Sequence, residues 1–340
     1  MNRRRWLIVF AGVAVVLVVV LVAALLTGLS REDERAATPE DAVRTYLTAL
    51  ADADAATALA VIEPRPEPTF LTDEVLRAQR AAAPMSEIRI GSDASGGSDG
   101  ASDTTGRTEI SASYRMGGRV ADTAVRVARV ADGWAVVDGA VAVRIDALQV
   151  VRPTLFGREV RQGDTVHLFP GPQRWGSADT DFVGRVAEDA YPIEPQGPVS
   201  VRVTGELSPS GTSAVSDAVS EHLRRCANST RIDPAAEVAG CTQRLFRSAV
   251  PGSVRWTAPR DLSGLRYLLR SPRTSPGETS TERAATDLGT VDVVGPVRWR
   301  VAYTPSYDDD GPRVETIDEQ YLIGSVDLTA DRPQFIADAG

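Results

Sequence analysis

The sequence predicts an α+β protein carried behind one N-terminal transmembrane helix, and three observations predict it. An apolar run from Trp6 to Leu29 follows Arg3-Arg4-Arg5 and meets no charge until Arg31. Two stretches, 38–138 and 206–340, each place helical apolar spacing ahead of alternating strands, the order of an α+β unit. Between them, residues 139–205 alternate without helical spacing, as an all-β module does.

The apolar run has roughly 20 residues or slightly more, enough to cross ~30 Å of hydrocarbon as a helix. A cleavable signal peptide has a shorter core of ~7–15 residues and a small-residue cleavage site. Here Ala23-Ala24-Leu25-Leu26-Thr27-Gly28 makes a poor Ala-x-Ala site, and no cysteine near its end offers a lipid attachment. Residues 6–29 are therefore read as an uncleaved signal anchor, with cleavage as the alternative. The positive-inside rule keeps residues 1–5 in the cytoplasm as a short tail and sends the rest outward. The expected location is the cell membrane, single-pass, with the C-terminal domains extracytoplasmic.

Residues 30–37 form a charged linker. Thr38 then supplies an N-cap oxygen, Pro39 a pre-set φ, and Glu40 and Asp41 the negative charge a helix N-terminus favours. Val43, Tyr46, Leu47 and Leu50 recur at helical spacing, and the pattern resumes after Asp54 with Ala58, Leu59 and Ile62. Pro64, Pro66 and Pro68 break it, and Thr72-Asp73-Glu74 opens another short helix. Ser86 to Ile90 is a candidate strand, and Gly91 to Gly106 is a loop too poor in apolar groups to pack. Ile110, Ala112, Tyr114 and Met116 alternate, Gly117-Gly118 turns, Val120 to Val130 returns, and Trp134 to Val137 closes an antiparallel meander.

The segments Thr38-Pro39-Glu40-Asp41-Ala42-Val43, Tyr46-Leu47, Ala49-Leu50 and Asp54-Ala55-Ala56 resemble the opening of the NTF2-like domains, in particular the DUF4878-type modules of bacterial membrane-anchored proteins. The likeness covers roughly a third of the chain. It implies a cone of helices laid across a curved antiparallel sheet over 38–138. Some members of that fold are enzymes that work inside the cone with a buried carboxylate and a tyrosine. By that likeness Tyr46, Tyr114 and Trp134 are the candidate pocket residues, and a paired carboxylate cannot be named. The competing reading of the three aromatics is ordinary core.

In the middle stretch, Phe156-Gly157-Arg158-Glu159-Val160 and Leu168-Phe169-Pro170-Gly171 are similar to the turns of PEGA-like and other Ig-like surface modules. A plain β-sandwich-like spacer is the simpler expectation for 139–205. In 206–340, Thr212 or Ser213 is expected to cap a helix with Val215, Ala218, Val219 and Leu223 on one face. Strands follow from Val254 onward, with a polar hairpin tip at Tyr307 to Gly311. The order repeats that of the first unit, so a second NTF2-like domain is expected.

Composition narrows the chemistry. With 340 residues, 43% of them hydrophobic, the chain beyond the anchor can hold two or three ordinary cores. The net charge is −9, and setting aside Arg3-Arg4-Arg5 leaves −12 for the exterior part, a balance that argues against nucleic acid. All 37 basic residues are arginine. A Walker A loop, a kinase strand lysine, a pyridoxal Schiff base and a Ser-x-x-Lys nucleophile are thereby excluded. The lysine-free bias toward Arg, Ala, Val and Asp resembles that of high-GC actinobacterial proteins.

Cys226 and Cys241 are the two cysteines, and outside the cytoplasm such a pair is read as a disulfide. The competing reading is zinc with His222, but the cysteine spacing is not that of a zinc site, so no metal is expected. His167 and His222 are read as surface residues of a strand and a helix, with no Gly-x-Ser-x-Gly elbow to pair with. Asp308-Asp309-Asp310 lacks the ligand spacing of a calcium loop. No cofactor is expected. The expected function is a non-catalytic, membrane-anchored binding or scaffolding protein of the cell envelope, its partner an envelope protein or cell-wall component. The alternative is a cone-pocket small-ligand carrier or enzyme.

Overall fold

The computed structural model describes residues 36–93, 106–131, 133–186, 191–195, 197–270, 288–308 and 310–338. The expected anchor at 6–29, most of the Gly91 to Gly106 loop and the Ser/Thr/Pro-rich loop at 271–287 lie outside them. Among the described residues no helix is long and apolar enough to cross a membrane. The chain is mixed α+β, and its described residues divide into two compact units. One falls within Met1–Val143, Val166–Pro172 and Tyr191–Val199; the other within Arg144–Thr165, Gln173–Ala190 and Ser200–Gly340. The middle stretch 139–205 is thus shared between the two units.

The first unit opens on α1 (Pro39–Asp52), where the Thr38 side chain accepts a hydrogen bond from the Asp41 amide. Ala53 takes a left-handed conformation and ends the helix, and Asp54 caps α2 (Ala55–Ala60) through the Thr57 amide. Ile62, expected to continue that helix, instead bridges to Val136 as extended chain. Thr72 caps α3 (Asp73–Ala82).

The sheet follows as β1 (Met85–Asp93), β2 (Arg107–Met116), β3 (Arg119–Val130) and β4 (Gly133–Val136), antiparallel and in sequence order. The β2–β3 turn requires a positive φ at Gly117 (58°), which glycine adopts without steric cost. Ile110, Ala112, Tyr114 and Met116 point to one face of β2 and are buried there. They meet the face of α1 formed by Val43, Tyr46, Leu47 and Leu50, all 0% exposed. Period two on the strand and period 3.6 on the helix bring the two apolar faces together.

Among the described residues of the middle stretch the regular elements are strands. They are β5 (Val141–Gln149), β6 (Pro153–Leu155), β7 (Arg158–Glu159), β8 (Thr165–Leu168), β9 (Trp175–Ser177), β10 (Phe182–Arg185) and β11 (Val199–Leu207). One sheet runs β10-β11-β5-β8 and a smaller one β7-β6-β9.

In the second unit α4 spans Pro209–Ala227, and its cap is Ser208 rather than Thr212 or Ser213. Ser208-Pro209 repeats the Thr38-Pro39 signal: the hydroxyl accepts from the Gly211 amide, and proline occupies the first turn. Val215, Ala218, Val219 and Leu223 are buried on one side, as their spacing requires. Then come β12 (Arg255–Thr257), β13 (Arg266–Leu269), β14 (Thr290–Tyr303), β15 (Val314–Asp327) and β16 (Phe335–Ala337). β14 and β15 pair from Thr290↔Asp327 to Tyr303↔Val314, a long hairpin with its polar tip at the Tyr307 turn. Trp299 is fully buried on the inner face, edge-on to Trp256 at 5.9 Å.

Candidate functional site

The interior of the first unit brings two of the three expected pocket residues together. Tyr46 from α1 and Tyr114 from β2 are 0% and 2% exposed. Trp134 packs on the same core from the edge strand β4, but it is only half-buried. Both tyrosine hydroxyls are committed to the main chain: Tyr46 donates to Gly139 O, and Tyr114 donates to Ile193 O at 2.5 Å. Burial pushes both phenols up, so they remain neutral donors.

Two further residues belong to this interior. Gln79 and Arg80, consecutive on α3, are 0% and 7% exposed. Gln79 Nε2 donates to Phe169 O at 2.9 Å, and Arg80 Nη2 donates to Pro170 O at 2.6 Å. Phe169 itself is 0% exposed and belongs to the core cluster of the unit, against which the partly buried Tyr191 and Ile193 also pack. Gly171 follows at φ 145°, where a Cβ would lie 2.6 Å from Arg80 Nη2. Glycine is therefore what lets the main chain reach the guanidinium.

Segment 168–171, expected to be a hairpin turn of a separate β-module, instead accepts hydrogen bonds from α3 and contributes Phe169 to the core of the first unit. Among the described residues no carboxylate acts on Tyr46, whose charged neighbour is Arg80, whereas Tyr114 feels both Glu194, which raises its pKa, and Arg80, which lowers it. Desolvation lowers the Arg80 pKa, while Tyr46, Tyr114 and Tyr191 act in the opposite direction. Arg80 Nε and Nη1 and Gln79 Oε1 are buried without a hydrogen-bond partner among the described residues. Sequence spacing held a signal for this pair, since Leu76, Gln79, Arg80 and Ala83 recur at helical period. Their polarity concealed it.

A shallower opening of about 530 Å³ lies elsewhere on the unit, with His167, Glu67, Arg126 and Asp138 on its wall. His167 is half-buried, and its Nδ1 has no partner among the described residues. Asp138 is held at 2.6 Å by Arg126. The opening's lining includes no serine, threonine or cysteine to act as a nucleophile beside the histidine.

In the second unit Cys226 and Cys241 form a disulfide, as expected. His222 corrects the surface reading: it is 4% exposed, one turn before Cys226 on the buried face of α4. Its ring lies edge-on to Phe335 at 4.9 Å, and Nε2 is 3.0 Å from Gly240 O. His222, Cys226 and Cys241 place their ligand atoms within 4.8 Å of one another. The two sulfurs are bonded to each other, so the trio has no thiolate to offer a metal in this state.

No family model, curated protein or solved structure matches this chain.

Proposed function

We propose that the chain is a non-catalytic, membrane-anchored binding or scaffolding protein of the cell envelope, built on a first unit of the NTF2-like, DUF4878-type kind. The observation that carries the reading is Phe169. A cone that binds a small molecule keeps interior space for its ligand; here Phe169 is fully buried in the same core cluster as Tyr46 and Tyr114. Both tyrosine hydroxyls, Gln79 Nε2 and Arg80 Nη2 are spent on main-chain carbonyls 139, 193, 169 and 170. The membrane anchor is supported by the apolar run 6–29 and the arginines before it. The disulfide suits an oxidising compartment.

Cross-linking in intact cells, followed by purification of the full-length chain, tests the reading. The expected result is one defined envelope partner and no turnover of small substrates by the purified protein. Turnover of a defined substrate, with no partner recovered, would overturn it.

A second reading, a small-anion carrier, is favoured by one observation: among the described residues the buried Arg80 guanidinium meets no carboxylate, and two of its nitrogens are unpartnered. It requires segment 168–171 to leave the interior, and thermal shifts of the full-length protein with small carboxylates test it.

A further inference from the structure

The outer face of the β14–β15 hairpin carries more apolar surface than a solvated sheet needs. Alternation turns Val294, Pro296, Arg298 and Arg300 outward, opposite Ile323, Tyr321, Glu319 and Ile317 of the partner strand. Ile317 is 65% exposed and Tyr321 60%, and Ile336 of β16 continues the row at 68%. Single exposed apolar residues are ordinary; on this face Ile317 and Tyr321 flank the Arg298–Glu319 pair, so that apolar and charged groups alternate along one sheet face.

At one end of the row the loop after β12 folds back over the strands. Gly264 comes so close that a Cβ there would lie 3.0 Å from Pro296 O. Loop and strands enclose a groove of about 640 Å³ with Arg260, Arg298 and Arg300 on its walls. Arg298 is held by Glu319 at 2.8 Å. Arg260 and Arg300, both exposed, meet no carboxylate among the described residues. Two unpaired guanidiniums converging on one groove are unusual on a chain whose net charge is −9.

We propose that this groove and the apolar row beside it bind an acidic segment of a partner protein. Carboxylates of the segment pair with Arg260 and Arg300, whose planar forks suit them, and its apolar side chains cover Ile317 and Tyr321. Asp261 and Glu319 also line the groove, so a uniform polyanion meets repulsion there. A segment with spaced carboxylates and apolar groups between them does not. The proposal rests on the binding-module reading and names the chemistry of its partner.

The probe is a fluorescein-labelled peptide of alternating glutamate and leucine, titrated into the full-length protein and followed by anisotropy. Saturable binding is expected, weakened at least tenfold by Arg260→Glu with Arg300→Glu and to a lesser degree by the matching glutamine pair. Arg107→Glu, an exposed charge reversal in the other unit, is expected to leave it unchanged, and thermal melts check that each variant is folded. Absent binding, equal binding by the double variant, or tighter binding of inorganic polyphosphate at the same two arginines would overturn the proposal. Loss of the peptide site while the cellular cross-link persists would remove this face alone. Peptide binding without any cellular partner would instead count against the binding-module reading.

Discussion

A guanidinium or imidazole taken out of water has to be compensated by its neighbours, and the two buried cases here differ in how far that is achieved. Arg80 obtains one main-chain carbonyl and one thioether contact but no counter-charge among the described residues. His222 stays buried by remaining neutral: desolvation lowers its pKa below the ordinary 6.5, Arg225 adds to the depression, and the bond to Gly240 opposes it. The sign follows from linkage. The unfolded chain takes up the proton first as pH falls, so the stability tied to neutral His222 is complete above about 6.5 and is lost as pH drops toward the folded value. Thermal melts at pH 7.5 and 5 are expected to show a steeper loss for wild type than for His222→Gln, and identical slopes would refute the assignment. At this scale the sequence was readable where a residue type has one buried role, as with Tyr46 and Tyr114. For His222 the spacing pointed inward, since it continues the face of Ala218 and Val219, but the polarity of a histidine concealed its burial.

The capped helices show how short signals set element boundaries. Thr38-Pro39 and Thr72 begin helices where their chemistry places them, and Ser208-Pro209 does the same for α4. The β2–β3 meander and the β14–β15 hairpin follow alternation, and the register closes as that alternation demands. The destination of segment 168–171 was not legible. Phe169-Pro170-Gly171 has the composition of a turn, and only contacts about 90 residues away in sequence reveal that Phe169 is core. The disulfide is an element-scale device too, since it ties the last turn of α4 to the loop that follows. With a sequence separation of 15, removing it by Cys226→Ser and Cys241→Ser is expected to cost roughly 3 kcal/mol in chemical denaturation. Thiol labelling of the folded, unreduced protein is expected to be negligible, and full labelling of both cysteines would remove the bond from the account.

For the whole molecule, the α+β class was legible because helical and strand periods alternate in blocks along the chain. The division into units was not, because 166–172 and 191–199 join the first unit from within a stretch that reads as one β-module. The proposed topology carries its own prediction: protease added to intact spheroplasts digests nearly the whole chain, whereas protection of the C-terminal part would invert it. The central claim is that the first unit keeps its interior for itself, leaving its surfaces to bind. The most direct measurement is crystallography of the full-length protein under xenon pressure, since xenon enters empty apolar cavities large enough to hold it. No xenon beside Tyr46 and Tyr114 in wild type, with a site appearing there in Phe169→Ala, is the predicted result. Xenon bound beside the two tyrosines in wild type would contradict it.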